Sequence, residues 1–556
     1  MKKFLSTSAS GRLVLTAVVC CAMTMAVFTA CTSENDNPVL PPEPEQLAEA
    51  TIIWYGTGGG NVDQYILENF RTFYLAKAGS YDRVNVVAQY KTSYEPTCYE
   101  GKTDEQIAQE AKQKMEGMTE EEIDTLHNAD YFLLCHPLKG ATYRFTFDPS
   151  KTLRQTLEET EPYGEMNADC TCPDSLTNFI NWAAAHYPAK KYILMMADHG
   201  GGYMPHDEIA PAAARMRGMI YDDGYNKKCF SAKSFASAVR NAKVRPEGIV
   251  LYLCLMNNME VLYELKDVTD YVACSTYVMF AVGGAFNAIA DNLAEGKDTR
   301  TTLSNFVDAN VEVWDNIFYN PEDPETPWYY DMTLTETSRL NDLAPVLREF
   351  TDRLVDTYQN GTDEQRAIID ECTTNTVKIY NVHPFYDMAK YMENLIGKLP
   401  EVFDKDLDDR IAKTFNACIA HQRYGKYLAN HNYMVDYSVL LAVKGNYVKY
   451  LYIQPEEEGD PVLDQAVVYF TDGTTGTYKY IDESKNSSDG SLNHYEFVES
   501  GTWPGTFAGI YQQSTFDRLV GWSRWLLINP TSPPAWSPSS FGFRLPDDDM
   551  SKDPEI

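Results

Sequence analysis

The sequence predicts an α/β fold: a mostly parallel sheet flanked by helices, then a helical region, then a β-rich C-terminal region. Three observations predict it. Lys191-Tyr-Ile-Leu-Met-Met-Ala and Gly248-Ile-Val-Leu-Tyr-Leu are apolar runs without polar alternation, the pattern of strands buried on both faces. Such runs alternate with stretches of helical periodicity, which implies a parallel sheet covered on both sides. The pattern then turns helical after about Asp291 and β-like from Tyr433.

Taken in order, Thr51–Gly56 reads as a buried strand running into Gly58-Gly59-Gly60. Helical periodicity follows over Val62–Ala76, and Val84–Ala88 is a second strand. The acidic stretch Thr103–His127 is helical in pattern. Asp130–Cys135 and Ala141–Phe147 read as strands that could form an antiparallel pair. Ser175–Tyr187 reads as a helix capped by Asp174 or Ser175. Helices are expected at Ser231–Val244 and Asn258–Leu265, on either side of the Gly248 strand, and Tyr271–Ser275 is another strand. Further helices are predicted over Thr301–Val313, Ser338–Thr357, Gln365–Cys372 and Val402–Ala420. Tyr447–Ile453 and Ala466–Phe470 are the clearest strands of the last region. From Ser532 the chain is rich in Pro and Ser and then acidic, which reads as a loosely ordered end. There are no internal repeats.

At 556 residues the chain has room for two to four domains. Its 44% hydrophobic and 23% charged content is that of a globular protein. The charge balance is unusual, with 80 Asp and Glu against 47 Lys and Arg, a net of −33. Such a surface repels phosphate backbones, so nucleic acid is not an expected partner.

The first thirty residues read as an address. Lys2, Lys3 and Arg12 precede an apolar run from Leu13 to Ala30, the pattern of a secretory signal peptide (1–30). The run ends Phe28-Thr29-Ala30-Cys31, which resembles a lipoprotein box with Cys31 as the lipidated residue. Residues 31–48 form an acidic, Pro-rich tether, extended and stiffened by proline. Its acidic start resembles export signals on surface lipoproteins of some Gram-negative bacteria. The expected location is therefore the cell envelope, as a surface-exposed outer-membrane lipoprotein held by the lipid on Cys31. Loss of the leader removes three positive charges and no acid, which takes the net charge from −33 to −36. Nine cysteines remain after Cys20, Cys21 and Cys31 are set aside. Nine is odd, so in an oxidising compartment at least one thiol lacks an intramolecular partner.

Active sites of parallel α/β sheets lie at the carboxyl ends of the strands. Two strands here end on reactive groups: one in Asp198-His199-Gly200-Gly201-Gly202, the other in Cys254. Parallel strands bring both ends to one edge, where His199 could take the proton of the Cys254 thiol. The helix expected from Asn258 would favour the thiolate through its dipole. The N–H groups of Gly200 and Cys254 are candidate oxyanion donors. The plain alternative is a small buried Cys254 and a loop His199.

At these residues the sequence resembles the clostripain family of cysteine peptidases, relatives of caspases. The resemblance rests on Ile193-Leu-Met-Met-Ala-Asp198-His199-Gly200, on Cys254-Leu255-Met256, and on Glu260-Val261-Leu-Tyr263-Glu264-Leu265. Leu176–Trp182, Tyr221-Asp222-Asp223 and Phe516–Trp525 add to it. It implies a caspase-like sheet in a peptidase domain over 49–300, followed by a helical extension (301–430) and a β-rich region (431–545). It also implies an endopeptidase with a Cys254/His199 dyad acting on protein or peptide substrates. One position departs from the family pattern: Tyr252 stands where the family usually has a pocket Asp, and a phenol does not carry that charge at neutral pH. Altered specificity is the expectation. Family members are often activated by self-cleavage between the two motifs, where this chain offers Arg215, Arg217, Lys227 and Lys228.

No cofactor is required, with calcium possible at Glu208, Asp222 and Asp223. A metal-dependent hydrolase would use His199, His206 and Asp207 with Asp198 and Glu208; Cys170-x-Cys172 could pair as a strained redox motif, and would need a second ligand pair to hold zinc. The non-enzymatic alternative is a surface lipoprotein that binds glycan or protein through Trp503, Trp522, Trp525 and Trp536.

Overall fold

The computed structural model describes residues 47–203, 218–224, 228–376, 379, 385–441, 465–469, 474–480, 495–502 and 511–526. The leader, Cys31 and all but the end of the tether lie outside the described residues. So do His206, Asp207, Glu208, Arg215, Arg217, Lys227, the 447–453 strand, Trp503, Trp536 and the C-terminal tail.

The strands in chain order are β1 (Ala50–Thr57), β2 (Val84–Lys91), β3 (Thr142–Thr146), β4 (Tyr192–Ala197), β5 (Met219–Asp222), β6 (Lys228–Phe230), β7 (Gly248–Tyr252), β8 (Tyr271–Cys274), β9 (Asp331–Glu336), β10 (Phe385–Asp387), β11 (Ile419–Tyr424), β12 (Ser438–Leu440), β13 (Gln465–Tyr469), β14 (Thr474–Tyr480) and β15 (Tyr495–Thr502). Eight of them form one sheet in the order β11-β9-β8-β7-β4-β1-β2-β3. The five central strands are parallel. At the edges the pairings turn antiparallel, β3 with β2, β9 with β8 and β11 with β9. The fold is the expected mixed α/β sheet flanked by helices.

The alternation along β4 explains why it carries no polar residue. Leu194 and Met196 enter a core shared with helices Pro173–His186 and Ala232–Asn241. Ile193, Met195 and Ala197 enter the opposite core, shared with helices Asp63–Arg71, Phe286–Ala294 and Thr299–Phe318. Each fully buried Leu, Ile or Met side chain among these contributes about 1.5–3 kcal/mol of transfer free energy.

Several local expectations are corrected. Asp130–Cys135 is not a strand but part of helix Asn128–Cys135, which packs on helices Asp63–Arg71 and Asp104–Met115. Five apolar residues in a row, Tyr131–Cys135, fit a buried helix as well as a strand, and periodicity alone does not separate them. β3 therefore pairs with β2 instead. The helix expected from Asp174 or Ser175 begins at Pro173 with Cys172 at its N-cap, where proline's fixed φ suits the first turn. The acidic stretch is two helices, Asp104–Met115 and Glu120–Asp124, each opened by a capping box on Thr103 or Thr119. The region expected to be helical also supplies β9 and β11 to the main sheet, and helices Phe286–Ala294 and Met388–Lys398 went unread.

β13, β14 and β15 form an antiparallel three-stranded sheet. The short helices Thr515–Val520 and Ser523–Leu526 pack on helix Leu340–Asn360. Trp522 and Trp525 are buried there, so both serve packing. Among the described residues no helix is long and apolar enough to cross a membrane.

Candidate active site

β4 and β7 pair in parallel up to Ala197 opposite Tyr252. His199 and Cys254 each stand two residues beyond that pair, on the same edge of the sheet. The two loops touch at Gly200. A Cβ on that residue would lie 2.3 Å from the Cys254 carbonyl oxygen and 2.6 Å from its amide nitrogen. A side chain of any kind would force the loops apart.

The turn that carries Cys254 is held from its far side. Leu255 has φ 63°, a left-handed conformation that costs a branched residue about 1–3 kcal/mol. Its N–H donates to the Tyr277 carbonyl at 3.0 Å. Asn257 donates its backbone N–H to the Ser275 carbonyl, and its side-chain amide to Thr276 Oγ1 and the Asp436 carbonyl. Asp331 Oδ1 accepts from Ser275 Oγ and from the N–H groups of Thr276 and Tyr277. Burial pushes the Asp331 carboxyl up to about 6. The loop fixed in this way brings the Met279 N–H to 3.3 Å from Cys254 Sγ. The Met279 carbonyl oxygen lies 3.6 Å from the same sulfur, on the accepting side of the thiol hydrogen. Cys254 is partly exposed. Asn258 caps the expected helix Met259–Leu265 by accepting the Val261 N–H.

The histidine side is built just as firmly. Asp198 Oδ2 accepts from Thr57 Oγ1, at the end of β1, and from the Tyr221 N–H. The Ile220 N–H donates to the His199 carbonyl, and the Gly201 N–H to the Gly218 carbonyl. Gly200 stands between these two bonds, opposite Met219, so its own N–H turns away from that hairpin. His199 Nε2 lies 2.7 Å from Asn61 Oδ1. The loop carrying Asn61 turns through Gly59 (φ 54°) and Gly60 (φ 91°). A Cβ on Gly59 would lie 2.7 Å from His199 Cδ2.

Tyr252 is 3% exposed. Its ring packs edge-on against Phe286 at 5.1 Å and lies 6.1 Å from Trp314. Burial pushes its phenol up. Of the acids offered for calcium, Asp222 and Asp223 are engaged within the protein, and Glu208 lies outside the described residues. Asp222 accepts from Lys91 Nζ and from the Cys170 thiol and N–H. Asp223 accepts the N–H groups of Tyr94 and Glu95. Among the described residues no three His, Cys, Asp or Glu side chains cluster to hold a metal ion, and no disulfide joins any of the nine described cysteines.

Thr57, Asn61, Asn257 and Met279 were not read from the sequence. Asn61 had a signal: it directly follows the glycines at the carboxyl end of β1, the strand beside β4.

The clostripain family (peptidase C11) model matches residues 151–470, more than half of the chain. The chain belongs to the clostripain family. It is accordingly a cysteine peptidase, and peptides are its substrates. Solved structures of C11 proteases are similar to it. A secreted C11 cysteine protease from Bacteroides thetaiotaomicron, iotapain, is 16% identical over 68% of this chain and 87% of its own, with a TM-score of 0.45. A secreted C11 protease from the same organism, in complex with an irreversible peptide inhibitor, is 13% identical over 74% and 95%, TM-score 0.46. An inactive zymogen C11 protease from Parabacteroides distasonis is 11% identical over 87% and 99%, TM-score 0.46. No curated protein matches the chain.

Proposed function

We propose that this clostripain-family chain is an endopeptidase in which Cys254 is the nucleophile and His199 its proton-transfer partner. The observation that carries the reading is the packing of Gly200 against the backbone of Cys254, which joins the two loops at one point. Cys254 Sγ attacks the scissile carbonyl carbon, and His199 gives its proton to the leaving amine. His199 then takes a proton from water, whose oxygen attacks the thioester and releases the acid and the thiol. The N–H groups of Gly200 and Cys254 receive the oxyanion.

The specificity differs from the Arg/Lys preference implied by a pocket Asp. Tyr252, two residues before Cys254, is buried against Phe286 and brings no carboxylate to that position. Apolar or aromatic residues are the expected preference. A peptide library digested by wild type and by Cys254→Ala tests both points. The expected result is cleavage after apolar residues that vanishes in the variant. Equal cleavage by the variant overturns the dyad, and a strong Arg or Lys preference overturns the pocket reading.

Phe28-Thr29-Ala30-Cys31 supports export and lipid anchoring at the outer membrane. Cys31→Ser is expected to move the protein from the membrane fraction to the soluble one. Persistence in the membrane fraction would count against the anchor.

A further inference from the structure

We propose that Asn61 is a positioning residue that fixes the tautomer and orientation of His199; this deepens the dyad reading and rests on it. β4 lies between β1 and β7 in the sheet. The loop after β1 therefore stands on one side of His199 and the Cys254 turn on the other. The ring's Cδ2–Nε2 edge faces the β1 loop: Cδ2 borders the space a Gly59 Cβ would need, and Nε2 is 2.7 Å from Asn61 Oδ1. In an imidazole that leaves the Nδ1 edge on the β7 side. An amide oxygen only accepts, so Nε2 carries the hydrogen and the neutral ring keeps its lone pair on Nδ1. In the dyad reading that is the atom that takes the Cys254 proton.

Asn61 is exposed, yet its loop is braced from the interior. The Gly60 N–H donates to Ser93 Oγ at 2.8 Å. Ser93 in turn donates through Oγ and N–H to the buried Asp63, which also accepts from Tyr90 OH. Gly58 leaves the space that the Asp63 carboxylate fills. Glycine at three successive positions, then Asn, forms a cradle whose one polar side chain meets the histidine.

The test compares wild type, Asn61→Ala, Asn61→Asp and Cys254→Ala on the best library peptide. A second readout is the alkylation rate of Cys254 by iodoacetamide against pH. Asn61→Ala is expected to lower kcat about 10- to 100-fold, with KM within about two-fold. Loss of the acceptor destabilises the imidazolium, so the alkaline limb of the pH profile moves down. Asn61→Asp puts a carboxylate on the same N–H, and the limb moves up. Wild-type kcat and wild-type limbs in both variants would overturn the proposal. So would a lower melting temperature in Asn61→Ala with an unmoved pH profile, which marks a purely structural role. If Cys254→Ala retains hydrolysis, the dyad itself fails. If Cys254→Ala is inactive and the Asn61 variants match wild type, only the role of Asn61 fails.

Discussion

Lys91 Nζ lies 2.6 Å from one carboxylate oxygen of Asp222 and 2.7 Å from the other, with both side chains almost wholly buried. The pair ties the end of β2 to the hairpin that also holds His199. Cys170 donates its N–H and thiol to the same carboxylate, and burial pushes that thiol up, so it remains a donor. Asp222→Ala leaves a buried ammonium without its partner, which costs about 3–5 kcal/mol. Urea denaturation of wild type and variant measures the loss. A change below about 1 kcal/mol would show that the pair carries little.

Gly200→Ala tests the contact between the two loops. Its methyl would meet the Cys254 backbone at 2.3 and 2.6 Å. Neighbouring strands hold both loops, so they part by shifting at the site. A displacement near 1 Å costs about 100-fold in rate, while the overpacking costs about 1–3 kcal/mol in stability. The expected outcome is a folded protein by circular dichroism with at least about a 100-fold lower kcat/KM. Wild-type activity would mean that the loops adapt without consequence.

Asp63 and Asp331 are buried carboxyls, each pushed up from 3.8 to about 6, chiefly by desolvation. The native state therefore holds protons that the unfolded state has released between pH 3.8 and 6. The stability from these protons is fully present below about pH 4 and is lost as pH rises through 6. Each group contributes roughly 3 kcal/mol at most to that difference. Melting temperatures of Asp63→Asn across pH 4–7.5 should show a shallower decline toward neutral pH than wild type. An unchanged slope would count against Asp63 titrating in this range.

Glu260 and Glu264 belong to the motif that resembles the family, yet their contacts are structural. Tyr511 OH donates to Glu260 Oε1, and Thr515 donates through N–H and Oγ1 to Glu264. Both acids anchor the C-terminal segment to the helix that follows Cys254. Glu264→Ala is expected to raise hydrogen exchange in 515–526 by about 10-fold or more, since a charge-assisted bond is worth about 1.5–3 kcal/mol. Unaltered exchange in that segment would show that its apolar contacts suffice.

Much of the fold was legible because β1, β4 and β7 are apolar on both faces, and only a sheet covered twice demands that. His199 and Cys254 were legible because each follows such a strand. What escaped reading had weaker local signals. β11 lies at the edge of the sheet with all six residues half-buried, so it shows no strong apolar pattern. Asn128–Cys135 is apolar enough for either a helix or a strand, and its neighbours decided. Asn61 lies 138 residues before His199 in the chain.

The sequence by itself determined the alternation of strands and helices, the two strand ends that carry His199 and Cys254, and the motifs that mark the family. Those features are written in short stretches, where spacing and residue type act within a few residues. Only the tertiary structure decided that Asn61 meets Nε2, that Met279 points its N–H at Sγ, and that Tyr252 packs on Phe286. Each of these joins residues from separate elements, and their distances depend on strand order and register. Hydrogen bonds act over about 3 Å, so a register shift of one residue would abolish the first two, and it would turn Tyr252 to the other face of the sheet.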